Sequence, residues 1–169
     1  FCDIDPVTFN IDVADAARRV TSRTRGIIPV HLFGLAADMN GVMDLARRHD
    51  LFVIEDAACA LGCYQNDRHV GTLGDVGCFS FHPRKSITMG EGGMLTTAQQ
   101  ALDVTFRSLR DIGSDRTYLT PARAAQQLLP DYGALGFNYR LTDLQAALGL
   151  TQLAKFDVIL ARRLDCARR

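Results

Sequence analysis

At 169 residues with 47% hydrophobic content, the chain is long enough for one domain with a real core and hardly for two, so one domain is expected. Nineteen basic and nineteen acidic residues cancel to a formal charge of zero, which leaves no electrostatic footprint for nucleic acid or an anionic membrane surface. No apolar run in the sequence approaches the ~20 residues that span a bilayer, so a small molecule or another protein chain is the expected partner and the cytoplasm the expected compartment. The opening "FCDID", Phe1 to Asp5, lacks both a basic leader and an initiator methionine. It reads as a strand, and the chain as a piece of a longer protein. Helical spacing of Val13, Ala16, Ala17 and Val20 predicts a helix over "DVADAARRVTS". "GIIPVHLFG" is a nearly continuous apolar strand made irregular by Pro29. "ADMNGVMDLARRHD" reads as a helix capped by Asp38, with Met39, Val42, Met43 and Ala46 as its apolar face. "LFVIED" is a second buried strand that ends in two carboxylates.

The middle of the chain changes rhythm. A hairpin is expected around Asn66-Asp67, then a Gly-rich turn and a strand from Val76 to Phe81. "GGMLTT" makes another strand, and Thr97 to Gln100 has the T-x-x-Q form of a capping box opening a helix. Asp111 to Gly136, rich in Gly, Pro and polar residues, reads as a long loop of the kind that is commonly functional or interfacial. Thr142 to Gln145 is a second capping box, followed by one long C-terminal helix. Apolar strands joined by helices of this length are the pattern of parallel βαβ units, so the fold class is α/β, a mostly parallel sheet with helices on both faces.

Ligands of open α/β sheets bind beyond the carboxyl ends of the strands. Three residues with useful chemistry fall there: Asp56 ends "LFVIED", Ser80 lies near the end of "VGCFSF", and Lys85 follows in the next turn. Singly, each has a structural explanation as a turn former, a strand hydroxyl or a solvated cation. Together they match the needs of a pyridoxal phosphate enzyme. A lysine amine holds the cofactor's aldehyde, a carboxylate keeps the pyridine nitrogen protonated, and hydroxyls and backbone amides hold the phosphate. The glycines of "GEGG" permit a tight turn beside such a site. The five cysteines, odd in number and without paired C-x-x-C spacing, fit a reducing compartment. Cys59, Cys63 and His69 lack a fourth ligand for zinc. No phosphate-binding glycine motif follows a strand, which weighs against a P-loop or dinucleotide-binding domain.

"VIEDAACALG", "FSFHPRKSITMGEGGM" and "GFNYRLTDLQAALGLTQL" resemble, in order, three signatures of the DegT/DnrJ/StrS family of sugar aminotransferases, part of the fold type I pyridoxal phosphate superfamily. "IIPVHLFGLAADM" fits the same family. The resemblance implies that Lys85 is the Schiff-base lysine and Asp56 the partner of the pyridine nitrogen. It implies phosphate contacts from Ser80 and, across a homodimer interface, from Asn138. Cys59 stands where the family usually has glutamine or histidine near the cofactor's phenolic oxygen, and a thiol is a weaker hydrogen-bond partner. His82 and Arg84 flank the lysine; they are expected at the surface or one layer behind the site, and neither is given a role. The family's upstream phosphate clamp and small C-terminal domain have no counterpart, so residues 1–169 are expected to be a partial large domain. The implied activity moves an amino group from glutamate or glutamine to a keto-sugar nucleotide, for the amino sugars of lipopolysaccharide, polysaccharide or natural products. A cyclitol ketone as acceptor, or a non-catalytic regulator on the same fold, are the alternatives. Dehydratase relatives carry histidine in place of the lysine, so Lys85 argues against that branch.

Overall fold

In the computed structural model, which describes residues 1–115, 120–126 and 129–169, the chain divides into two units, Phe1–Thr96 with Asp143–Arg169, and Thr97–Thr142. The first unit begins with helix α1 (Val13–Arg19), strand β1 (Gly26–Ile27), helix α2 (Met39–His49) and strand β2 (Phe52–Asp56). It continues with β3 (Tyr64–Gln65), β4 (Arg68–His69), β5 (Val76–Ser80) and β6 (Gly93–Thr96). The second unit holds α3 (Gln100–Arg110) and α4 (Pro121–Gln126), after which α5 (Asp143–Leu153) and α6 (Phe156–Ala167) return to the first.

Four strands form one sheet in the order β1-β2-β5-β6, with β1, β2 and β5 parallel and β6 antiparallel at the edge. The register sets Ile54 opposite Val76 and Asp56 opposite Cys78, so the carboxyl ends of β2 and β5 come out side by side. One core cluster joins Met39, Val42, Leu45 and Ala46 of α2 to Ile27, Leu51 and Val53. The apolar stripe of α2 therefore runs through Leu45, fully buried, and leaves Met43 partly buried. Asp38 caps this helix by accepting from the Gly41 amide, and Asp50 ends it in the left-handed region. A second cluster joins Ala57, Ala60, Val70, Phe79, Phe81 and Ile87. The hairpin turns where expected, with Asn66 and Asp67 both at positive φ, the backbone of a type I′ turn.

Several expectations are corrected. "FCDID" is not a strand: it makes an isolated bridge between Ile4 and Ile11. "GIIPVHLFG" leaves the sheet after Ile27, rejoins it through a Val30–Asp56 bridge, and turns through a 3₁₀ segment at Leu32–Gly34, because Pro29 has no amide to continue the ladder. α3 starts at Gln100, not beside Thr97, whose hydroxyl instead accepts from the Gln99 amide in a local turn. α5 does begin next to Thr142. The segment Asp111 to Gly136 is not all loop, since α4 lies within it; residues 116–119 and 127–128 of that segment lie outside the described residues. The single C-terminal helix is two, bent by 62° between α5 and α6. Packing explains the break: Phe156 and Ile159 of α6 pack against the second core cluster, and the Phe156 ring crowds Gly62 so closely that a Cβ there would meet it at 2.6 Å. Among the described residues, no single helix is long and apolar enough to cross a membrane.

Candidate active site

The turn after β5 is fixed from below before it presents anything to solvent. Phe81 donates its amide to Gly92 O, and its carbonyl accepts from the Met89 amide and the Thr88 hydroxyl. Phe81 and Ile87, both buried, anchor the turn in the second core cluster. Between these anchors, the Lys85 amide donates to His82 O and the lysine side chain projects from the loop. β2 is fixed in a comparable way. The Asp56 amide donates to Pro29 O, its carbonyl accepts from the His31 amide, and its Oδ1 accepts from the Ala58 amide at 3.0 Å. Buried Ala57 and Ala60 flank a tight turn, closed by Ala60 N–H to Ala57 O, and Cys59 is exposed on it.

These loops meet. Lys85 Nζ donates to Cys59 Sγ at 3.1 Å, and Lys85, Cys59 and Ser80 line one cleft of about 300 Å³. Phe33, Arg84 and Arg163 line it as well, and a recess of about 680 Å³ shares Phe33, Cys59 and Arg163 with it. Arg84, expected at the surface or one layer behind the site, is exposed and borders the cleft. Phe33 and Arg163 were not anticipated, because nothing local in "HLFGL" or "LARRL" marks them; tertiary placement of the 3₁₀ turn and of α6 brings them in. His82 Nε2 is 3.7 Å from Glu91 Oε1. Ser80 Oγ accepts from the His82 amide at a long 3.4 Å, so its hydroxyl is loosely held and has capacity for another partner. Asn138 belongs to the second unit, where it forms an isolated bridge with Asp111.

Sequence reasoning missed the residue that ties β2 to the loop before β5. Glu55 is fully buried, and its carboxylate accepts from His31 Nε2 at 2.9 Å and from the amides of Gly71, Leu73 and Gly74 at 2.7 Å each. His31 Nδ1 accepts from the Ala37 amide, which leaves the proton on Nε2 to face Glu55. Burial pushes the Glu55 carboxyl up, but the His31 hydrogen bond, followed by those of the three amides, outweighs it and holds the group below the usual carboxylate range. The other carboxylate, Asp56, reports its charge next door: burial first and Asp56 second push the Cys78 thiol up. The two metal-like residues near the hairpin have other work, since His69 Nε2 accepts from the Gly62 amide and the Cys63 thiol is pushed up by burial.

The donor set suits pyridoxal phosphate on its chemistry. An amine whose partner, among the described residues, is a thiol and not a carboxylate can be displaced at little cost. A carboxylate and a free-handed hydroxyl stand at the ends of the two neighbouring parallel strands. The DegT/DnrJ/EryC1/StrS aminotransferase family matches residues 1–169. The chain is 46% identical over 163 residues to the GDP-perosamine synthase of Caulobacter vibrioides, covering 95% of this chain and 41% of that protein. It is 44% identical over 149 residues to a pleiotropic regulatory protein of Geobacillus stearothermophilus, covering 88% and 37%. Among solved structures it resembles Helicobacter pylori PseC, an aminotransferase involved in the biosynthesis of pseudoaminic acid, with a TM-score of 0.84, 30% identity, and coverage of 94% of this chain and 40% of that one. The chain thus spans less than half the length of these relatives. It has the fold type I aminotransferase architecture, and with every residue inside the match it belongs to the DegT/DnrJ/EryC1/StrS aminotransferase family.

Proposed function

We propose that the chain supplies the cofactor-binding part of a pyridoxal phosphate aminotransferase that transfers an amino group from glutamate or glutamine to a keto-sugar nucleotide. The observation that carries this is the convergence of Lys85, Cys59 and Ser80 on one cleft at the carboxyl ends of β2 and β5. Lys85 would hold the cofactor's aldehyde carbon through Nζ, Asp56 its ring nitrogen, Ser80 its phosphate and Cys59 its phenolic oxygen. When bound, pyridoxal phosphate supplies an electron sink for the bonds of the donor's α-carbon. Once its nitrogen is free, Lys85 Nζ takes the proton from that α-carbon and delivers it again, a task for which its flexible stem and single proton-carrying atom suit it. The Asp56 carboxylate would favour a protonated ring nitrogen beside it. Asn138 is proposed to reach the phosphate of a second subunit in a homodimer, and the sugar-nucleotide acceptor is supported by the names of the relatives.

Borohydride reduction followed by peptide mapping tests the assignment in the full protein. The cofactor's mass should be fixed on the peptide containing Lys85. An adduct on another lysine, or none in a protein that turns over substrate, overturns it. The regulatory relative supports a second reading, a binding protein without turnover. Amino-group exchange between labelled glutamate and 2-oxoglutarate separates the two, because a binding protein performs none.

A further inference from the structure

Cys59 differs from its fellow cysteines in being both open to solvent and paired with a nucleophile. Burial pushes the thiols of the partly buried Cys63 and Cys78 up, which lowers their thiolate fraction. Cys59 is exposed, and Lys85 Nζ is 3.1 Å from its sulfur. Neither backbone has to move for the two side chains to react. The Ala57–Ala60 turn fixes one and the buried Phe81 and Ile87 fix the other, so torsions of the lysine stem close the remaining gap. The cleft that both residues line admits a small oxidant.

We propose that Cys59 and Lys85 form a reversible oxidation site, in which hydroperoxide converts the thiol to a sulfenic acid and the lysine amine captures it as a sulfur–nitrogen link. In the first step the Cys59 sulfur gives up two electrons, the peroxide O–O bond breaks, and Cys59 S–OH and water form. In the second, the unprotonated Lys85 nitrogen attacks the sulfur, the S–O bond breaks, and the departing hydroxide takes a proton from the nitrogen to leave as water. The net change is loss of two hydrogen atoms from the protein, with hydrogen peroxide reduced to two waters. Two thiols of an external reductant reverse it: one attacks the sulfur, the amine leaves with a proton, and the reductant ends as a disulfide. The link stands on the distance between the two side chains. Its consequence for catalysis, an enzyme with its cofactor amine occupied until reduced, rests on the role proposed for Lys85.

The test treats the full protein with hydrogen peroxide, before and after hydroxylamine has stripped any carbonyl cofactor, and reads mass without reference to activity. The stripped protein should lose the mass of two hydrogens, and its tryptic map should show the Cys59 and Lys85 peptides joined and uncut at Lys85. Dithiothreitol should separate them, and Cys59→Ser and Lys85→Arg should each abolish the joined species. If Cys59 instead accumulates as a dimedone-reactive or over-oxidised residue without joining Lys85, the proposal fails. It fails equally if the lost hydrogens map to a disulfide with Cys63 or Cys166, which line the neighbouring recess.

Discussion

Replacing Glu55 is the perturbation with the most to lose in this fold. The carboxylate is fully buried and accepts from His31 Nε2 and three backbone amides. In Glu55→Leu all of these donors lose their acceptor. An unsatisfied buried donor costs about 1–3 kcal/mol, and breaking a buried pair from one side costs about 3–5 kcal/mol. Water entering at Leu73 and Gly74, which are only partly buried, limits the total, so a loss of about 4 kcal/mol is expected. Glu55→Gln is the sharper probe. Each Glu55 oxygen accepts from two donors, so whichever way the amide is turned, its NH₂ faces two N–H groups, and a loss of about 2 kcal/mol follows. Urea unfolding followed by circular dichroism reads both. With a slope of ~2 kcal/mol/M the midpoints should fall by about 2 M and 1 M. The pH dependence has a definite sign. Because the folded Glu55 carboxyl is held below its usual range, its contribution is complete above the unfolded value of about 4.3 and is lost as pH falls through the folded one. Wild type should therefore lose stability into acid more steeply than Glu55→Gln. A Gln variant within about 0.5 kcal/mol of wild type at pH 7, or one with an unchanged acid slope, refutes the assignment of Glu55 as a structural anchor.

Three further outcomes concern the site. Lys85→Ala should give a folded protein without the visible absorbance of bound cofactor and without transamination, since among the described residues its side chain is held by a thiol and not by an ion pair; residual turnover at the normal rate contradicts the role given to it. Asp56→Asn keeps the shape and removes the charge, so absorbance should persist while single-turnover proton transfer slows by orders of magnitude; stopped-flow spectroscopy with a donor amino acid checks this. Mixing inactive Lys85→Ala protein with an inactive Asn138→Trp protein should restore activity once subunits exchange, because one site of the mixed dimer then carries neither change; exchange confirmed by mass with no recovery removes Asn138 from the partner's site.

The parts of the site that depend on strand ends were legible from the chain alone. "LFVIED" and "VGCFSF" are uninterrupted enough to be buried parallel strands, and a ligand site at their carboxyl ends follows from the sheet rule. The Asn66-Asp67 turn was legible because few residue pairs accept positive φ twice in succession. Glu55 was not, since it reads as one of two adjacent acids until the amides of Gly71 to Gly74, in another loop, are seen to converge on it. The Lys85–Cys59 contact spans 26 positions and two turns, and no local pattern encodes it. The break before α6 escaped notice for a related reason. "LAKFDVIL" contains neither proline nor glycine to mark a break, and the packing of Phe156 and Ile159 against the second core cluster turns the chain aside.

Adjacent acids on one strand give β2 an ambiguity that the buried cluster resolves. Successive side chains of a strand face opposite ways, so a slip by one residue that brought Asp56 into the inner place would turn Glu55 to the opposite face. A carboxylate would still occupy the inner place, so charge alone would not punish that slip. Length would. An aspartate in the inner place is shorter by one methylene and cannot reach His31 and the amides of Gly71, Leu73 and Gly74 together. The four-donor socket therefore works as a key for strand alignment, admitting the chain in the one phase that leaves Asp56 at the outer end. A swapped pair, Glu55→Asp with Asp56→Glu, has the same composition and net charge as the natural chain, and it should nevertheless fold poorly.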